Sequence, residues 1–142
     1  DNQYSPKYLK EMLTTLIRTE SASVTGSRMK NKKKALAGGM PYYKFIGNIL
    51  LTKFFNIFYG TSFTDCHTGY WFYDLKKIKK PWLKKFDNGF LFDLDMRLKL
   101  VKENCIIKEI PILTRYGTER SSMHINYAIR FLLSTIIDKF KR

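Results

Sequence analysis

The sequence predicts an α/β fold, a mixed sheet flanked by helices, on three observations. Segments with helical spacing alternate with short apolar segments bounded by turn residues. The chain has 142 residues, 44% of them hydrophobic, enough to bury one core. Aromatic residues make up 15%, which argues against disorder.

Ser5-Pro6 opens the first helix, with Ser at the N-cap and Pro at the first helical position. Leu9, Met12, Leu13, Leu16 and Ile17 follow at helical spacing. A short strand is expected over residues 22–27. The Lys- and Gly-rich stretch 29–39 reads as an exposed, mobile loop. Pro41 starts a second helix, which runs to Tyr59 and is stopped by Gly60. On it Lys44, Asn48, Thr52 and Asn56 fall four apart in an otherwise apolar helix, apart from Lys53. That predicts a helix buried except for one narrow polar stripe, which either lines a pocket or is the solvent face. Residues 61–69 read as a loop, 70–73 as a strand, 90–101 as a helix and 105–113 as a strand. The polar loop 114–122 leads into a last helix, Ile125 to Phe140. Its predicted apolar face is Ile125, Ile129, Leu132, Leu133, Ile136, Ile137 and Phe140, with Arg130 and Lys139 off that face. A basic amphipathic helix of this kind either lies on a membrane surface or packs on its own domain. The expected division is residues 1–122 as one unit and 123–142 as a C-terminal amphipathic helix.

Charge is lopsided, with 26 Lys and Arg against 12 Asp and Glu, a net +14. Such a field favours anionic partners: nucleic acid, anionic lipid or phosphorylated substrates. The aromatic residues fall at core spacings and are not interleaved with the lysine runs, which counts against a nucleic-acid-binding module. The runs 32–34, 76–77, 79–80 and 84–85 read as solvated faces. Cys66 and Cys105 are far apart, without a CxxC pattern, and read as two free thiols. No stretch reaches the roughly 18 apolar residues of a membrane span. The chain opens at Asp1 without an initiator Met, so a fragment is expected.

Three places could carry chemistry. Asp1 and Gln3 offer a carboxylate and an amide oxygen two apart, able to reach one hard cation. Asp65 precedes Gly69 and an aromatic strand, and so suits the mouth of a cleft as a general base, or is simply a turn-forming acid. Arg115 and Ser121 lie in a polar loop ahead of a helix N-terminus, a setting that suits a phosphate group or is merely solvated.

The order of these motifs carries more than each alone. Asp-x-Gln-x-x-Pro is followed by Gly26-Ser27-Arg28, Gly38-Gly39-Met40-Pro41, Gly47-Asn48 and Thr64-Asp65-x-x-Thr68-Gly69-Tyr70. Phe90-Leu91-Phe92-Asp93, Glu109-Ile110-Pro111 and Thr114-Arg115-Tyr116-Gly117 continue the series. Over almost the whole chain this resembles the family 2 glycosyltransferases, nearest to their dolichyl-phosphate-mannose synthase-like branch.

The resemblance implies the C-terminal, acceptor-side part of a GT-A fold, a Rossmann-like sandwich. It implies a sugar moved, with inversion, from a nucleotide-diphosphate sugar to a polyprenyl phosphate or other hydroxyl acceptor. Asp1 matches the second acid of the Asp-x-Asp motif and Gln3 the glutamine after it. Together they would hold Mg²⁺ or Mn²⁺ on the donor pyrophosphate. Asp65 matches the acceptor-side acid, a base or a positioning carboxylate. Arg28, Lys44 and Asn48 fall where the branch places groups around a phosphate, with Lys44 where many relatives carry Arg. Arg115 and Ser121 match a basic-then-serine loop, though spaced differently from the family's Arg-x-x-Gly-Glu-Ser form. The implied partners are a nucleotide-sugar donor, a lipid-phosphate or glycan acceptor and a membrane surface, with no nucleic acid. The implied location is the cytoplasmic face of the membrane.

Overall fold

The computed structural model describes residues 4–89, 91–116 and 125–140. A 3-10 turn over Pro6–Tyr8, with the Ser5 side chain at its cap, leads into α1 (Leu9–Arg18). Then come β1 (Ser23–Ser27), α2 (Lys32–Ala37), α3 (Tyr42–Tyr59), β2 (Trp71–Tyr73), α4 (Lys80–Leu83), α5 (Phe92–Lys102), β3 (Ile107–Pro111) and α6 (Ile125–Phe140). The three strands form one sheet in the order β2-β1-β3. β1 runs antiparallel to β2 and parallel to β3, so the sheet is mixed, as expected for part of a Rossmann-like fold.

Being central, β1 is buried along its whole length. Val24 packs with Met12 and Leu16 of α1 and with Ile110 and Ile112. Strand alternation then puts Ser23, Thr25 and Ser27 on the opposite face. The larger core lies between α3, α5 and α6, built from Leu51, Phe55, Leu94, Leu98 and Phe131 around Cys66. Among the described residues no helix is long and apolar enough to cross a membrane.

Three expectations are corrected. The stretch 29–39 is not a mobile loop throughout. Asn31 caps α2 by accepting from the Lys34 amide at 3.1 Å. Met29, Ala35 and Met40 are buried against Phe45, Ile49 and Tyr116. Lysine is a good helix former, so the run 32–34 can expose its charges from a helix whose Ala35 faces inward.

Second, the polar stripe of α3 faces inward and is not the solvent face, but the helix is not otherwise buried as expected. Asn48 and Thr52 are buried, while Leu50 and Ile57 are 62% and 71% exposed. The reason lies in loop 61–69, whose backbone needs partners. Asn56 donates to the Phe63 carbonyl at 2.8 Å and accepts from the Phe63 amide at 3.0 Å. Thr52 accepts from the Cys66 amide at 3.0 Å. The polar stripe is therefore an inner surface, and Gly60, at φ 64°, ends the helix in the left-handed conformation.

Third, α6 buries Phe131 and Thr135, with Tyr127, Ala128 and Leu132 packed beside them, and leaves Ile125, Ile129, Leu133, Ile137 and Phe140 exposed. Its core contacts are a tilted ring pair with Phe55 and a hydrogen bond from the Tyr59 hydroxyl to the Thr135 carbonyl. Packing on the chain's own core therefore uses only Leu132 of the predicted apolar face, with Ile136 half-buried at its edge, and the rest of that face is the outer one.

Candidate functional site

Ligands of open α/β sheets bind beyond the carboxyl ends of the parallel strands. At that end of β1 stands Arg28, and loop 61–69, between α3 and β2, brings Asp65 to it. The pairing is bidentate: Arg28 Nε donates to Asp65 Oδ2 at 2.7 Å and Nη2 to Oδ1 at 2.9 Å. The Arg28 amide adds a bond to Oδ2 at 3.1 Å. Asn48 Nδ2 reaches Oδ1 at 2.7 Å and the His67 amide at 3.0 Å. Every acceptor direction of this fully buried carboxylate is thus taken by an N–H group. Burial alone would push the Asp65 carboxyl up, but the Arg28 charge and its hydrogen bonds, with Asn48, hold it well below the usual carboxylate range. Burial likewise opposes the Arg28 charge, and Asp65 outweighs it, so Arg28 stays protonated.

The loop that carries Asp65 is clamped from several sides. Glu109 of β3 accepts from the Thr64 amide at 2.9 Å, the Thr64 hydroxyl at 2.8 Å and the Asp65 amide at 3.3 Å. Ser27 Oγ lies 2.6 Å from the Thr64 hydroxyl. Arg97 of α5 is fully buried between the rings of Phe63 and Trp71, at 4.6 and 4.5 Å, and donates to the Asp65 carbonyl at 3.4 Å. On the far side His67 Nδ1 meets the Tyr127 hydroxyl at 2.9 Å, which ties the loop to α6. Burial pulls the His67 imidazole down to about 3, with Arg28 and Arg97 adding to the effect against Asp65. This ring is therefore neutral at physiological pH.

The outer rim is aromatic and basic. Among the described residues, Arg28 Nη1 makes only a long contact, 3.3 Å, to the Tyr116 hydroxyl. Lys44 lies over the Tyr116 ring at 5.6 Å. Tyr4 stacks on Tyr70 with centroids 5.0 Å apart and bridges to Thr114.

The structure therefore brings together Asp65, Arg28 and Asn48, with Lys44 one step out. Arg115 is exposed, and its neighbour Tyr116 is the residue that touches Arg28. Asp1, Gln3 and Ser121 lie outside the described residues. Among those described, no group of three or more His, Cys, Asp or Glu could hold a metal ion, and the oxygens of Asp65 are already occupied. Glu109 and Arg97 had no role assigned from sequence. A signal existed for Arg97, which falls three residues from both Leu94 and Leu100 and so shares their side of α5.

No family model matches the chain, and no solved structure matches it. It is 30% identical over 116 residues to the low-salt glycan biosynthesis hexosyltransferase Agl6 of Haloferax volcanii. That match covers 79% of this chain and 26% of the relative, so the chain spans about a quarter of that protein's length. The similarity supports a relationship to glycosyltransferases.

Proposed function

We propose that the chain is the acceptor-side part of a family 2 glycosyltransferase of the dolichyl-phosphate-mannose synthase-like branch. It would move a sugar from a nucleotide-diphosphate donor to a lipid phosphate at the cytoplasmic face of a membrane. One observation carries this reading. A guanidinium locked by a buried carboxylate stands at the carboxyl end of β1, with one N–H group turned to a rim of Tyr116 and Lys44. Similarity to a hexosyltransferase supports the reaction class.

In this scheme Arg28 binds the acceptor phosphate through Nη1, and Lys44 adds a second positive charge. A phosphate oxygen attacks the anomeric carbon of the donor sugar from the face opposite its bond to the diphosphate. As that bond forms, the bond to the diphosphate breaks, and the nucleoside diphosphate departs with the electron pair, inverting the centre. A lipid phosphate is already anionic, so no strong base is needed. Asp65, saturated by N–H donors, acts as a positioning residue that aims Arg28. A divalent cation on Asp1 and Gln3 would neutralise charge on the departing diphosphate. Ser121 and Arg115 remain candidates for the rim.

The test is transfer by the whole protein from nucleotide-diphosphate sugars to a polyprenyl phosphate, followed by mass spectrometry of the lipid product. Glycosyl phosphate lipid should form, vanish with chelator, and fall at least about 10²-fold in Arg28→Lys. Folded protein that yields no glycosylated lipid from any nucleotide sugar would overturn the reading.

A further inference from the structure

Arg97 occupies a position of α5 that its neighbours mark as apolar. Leu94 and Leu100, three residues to either side, are buried, and Arg97 itself has no exposed surface. Its guanidinium is poorly satisfied there. Nη2 reaches the Asp65 carbonyl at 3.4 Å, while Nε and Nη1 have no partner among the described residues. Nor does a described carboxylate pair with it. Asp65 is committed to Arg28 and Asn48, and Glu109 to the amides of Thr64 and Asp65. Asp93, one turn earlier on α5, lies beyond ion-pair distance. The register sets Thr25 opposite Trp71 and Ser23 opposite Tyr73, so these four share the sheet face that Trp71 turns to α5. The hydroxyls of Ser23, Thr25 and Tyr73 are buried, and none bonds to the guanidinium. A buried charge held this loosely costs stability that a methionine in its place would not.

What the guanidinium does have is two rings, Phe63 at 4.6 Å and Trp71 at 4.5 Å. These stand at the two ends of the segment that carries Asp65. The Trp71 indole also donates to the Thr68 carbonyl at 2.8 Å, so moving Trp71 moves the loop. The structure assigns Arg97 the part of a positioning residue. Its plane spaces Phe63 from Trp71, its Nη2 marks the Asp65 carbonyl, and the Asp65 carboxylate is thereby aimed at Arg28. A planar cation can be held between two rings in this way, whereas lysine, a point charge on a flexible stem, lacks the plane. Stability is given up here for the geometry of a site, a recurrent trade in proteins. Its part in transfer rests on the reading above, because the geometry it protects is that of the proposed phosphate site. The positioning itself is measured without any substrate, so either can fail alone.

The experiment compares Arg97→Met and Arg97→Lys with wild type in the whole protein. Methionine is apolar and long enough to fill the space between the rings, so the urea midpoint should stay or rise. Amide hydrogen exchange, read by mass spectrometry, should nevertheless quicken at Arg28 and His67, whose N–H groups the Asp65 carboxylate holds. The expected change is about tenfold or more, with α1 unaffected. Arg97→Lys keeps the charge without the plane and should loosen the same two amides. Should Arg97→Met not fold, Arg97→Lys decides alone. In transfer, kcat of Arg97→Met should fall about tenfold or more with the donor KM little changed, since the loop is misplaced and the donor is not. A wild-type protein without transfer would sink the reading above and leave the exchange result to decide this one. Three results would overturn the proposal. One is wild-type protection at both amides in the variant that folds. Another is a lower midpoint with protection lost evenly over the chain, or loss of the fold in both variants, either of which would make Arg97 a part of the core. The third is a wild-type kcat with the two amides loosened.

Discussion

Arg28 and Asp65 meet through two parallel N–H···O bonds, 2.7 and 2.9 Å long, around a carboxylate with no exposed surface. Removing one partner of such a pair leaves the other buried and uncompensated, at a cost of about 3–5 kcal/mol. Asp65→Asn is therefore expected to destabilise the fold as well as misdirect Arg28. Arg28→Lys keeps the charge but not the fork, and should cost less, about 2 kcal/mol. Urea unfolding measures both. An Asp65→Asn variant with the wild-type midpoint would show that the pair contributes nothing net.

Glu109 supports that pair from behind. Its two oxygens take the amides of Thr64 and Asp65 and the hydroxyl of Thr64. Charge-assisted bonds of this kind are the stronger ones. Glu109→Gln turns an acceptor into a donor facing an amide, and is expected to cost about 1–3 kcal/mol. Amide hydrogen exchange at Thr64 and Asp65 should quicken while that of α1 stays unchanged. Equal protection in variant and wild type would remove Glu109 from the clamp.

Helices α1, α3, α5 and α6 and the three strands were legible because their spacing is periodic, whereas the short α2 and α4 were not, and Gly60 and Pro41 bound α3 where their backbone chemistry places them. Orientation was not. Pattern divides α3 and α6 into polar and apolar faces, and the usual rule sends the apolar face inward. Here Asn48, Thr52 and Asn56 are needed as partners by loop 61–66, a tertiary demand that no window along α3 contains. Asp65 and Arg28 were legible as candidates. Their direct pairing was not, since 37 residues separate them. Glu109 stayed unread for the same reason, sitting 44 residues from the loop that it clamps.

His67 should make stability depend on mild acid. Burial, with help from Arg28 and Arg97, sets its folded value near 3 against an ordinary 6.5. Between these values the unfolded chain binds a proton that the folded chain does not. Its contribution is thus complete above pH 6.5 and is lost as pH falls through the window toward 3, by up to about 1.4 kcal/mol per unit. The Asp65 contribution runs in a lower window. Its folded value is depressed, so stabilisation is complete above its ordinary 3.8 and is lost only below that. Unfolding midpoints from pH 7 to 4 should therefore fall in the wild type and fall less in His67→Gln. Parallel slopes would mean that His67 takes up its proton in the folded state.

Two glycines should respond to alanine with opposite signs. Gly47 lies inside α3, and a Cβ there would meet nothing within 4 Å. Alanine loses less backbone freedom on folding than glycine, so Gly47→Ala is expected to stabilise by roughly 0.5–1 kcal/mol. Gly38 closes α2 with its own backbone pressed against the strand-end segment beside the site. A Cβ there would lie 2.5 Å from the Thr114 carbonyl oxygen, a backbone atom that cannot swing aside. The Tyr116 amide also bonds to the Gly38 carbonyl at 3.0 Å, so displacing one shifts the other. Gly38→Ala should therefore cost about 1–3 kcal/mol and, by moving Tyr116, loosen the outer contact of Arg28. Thermal melts of the two variants separate the effects. A neutral Gly38→Ala would mean that the segment 114–116 is free to yield and does not hold the rim of the site in place.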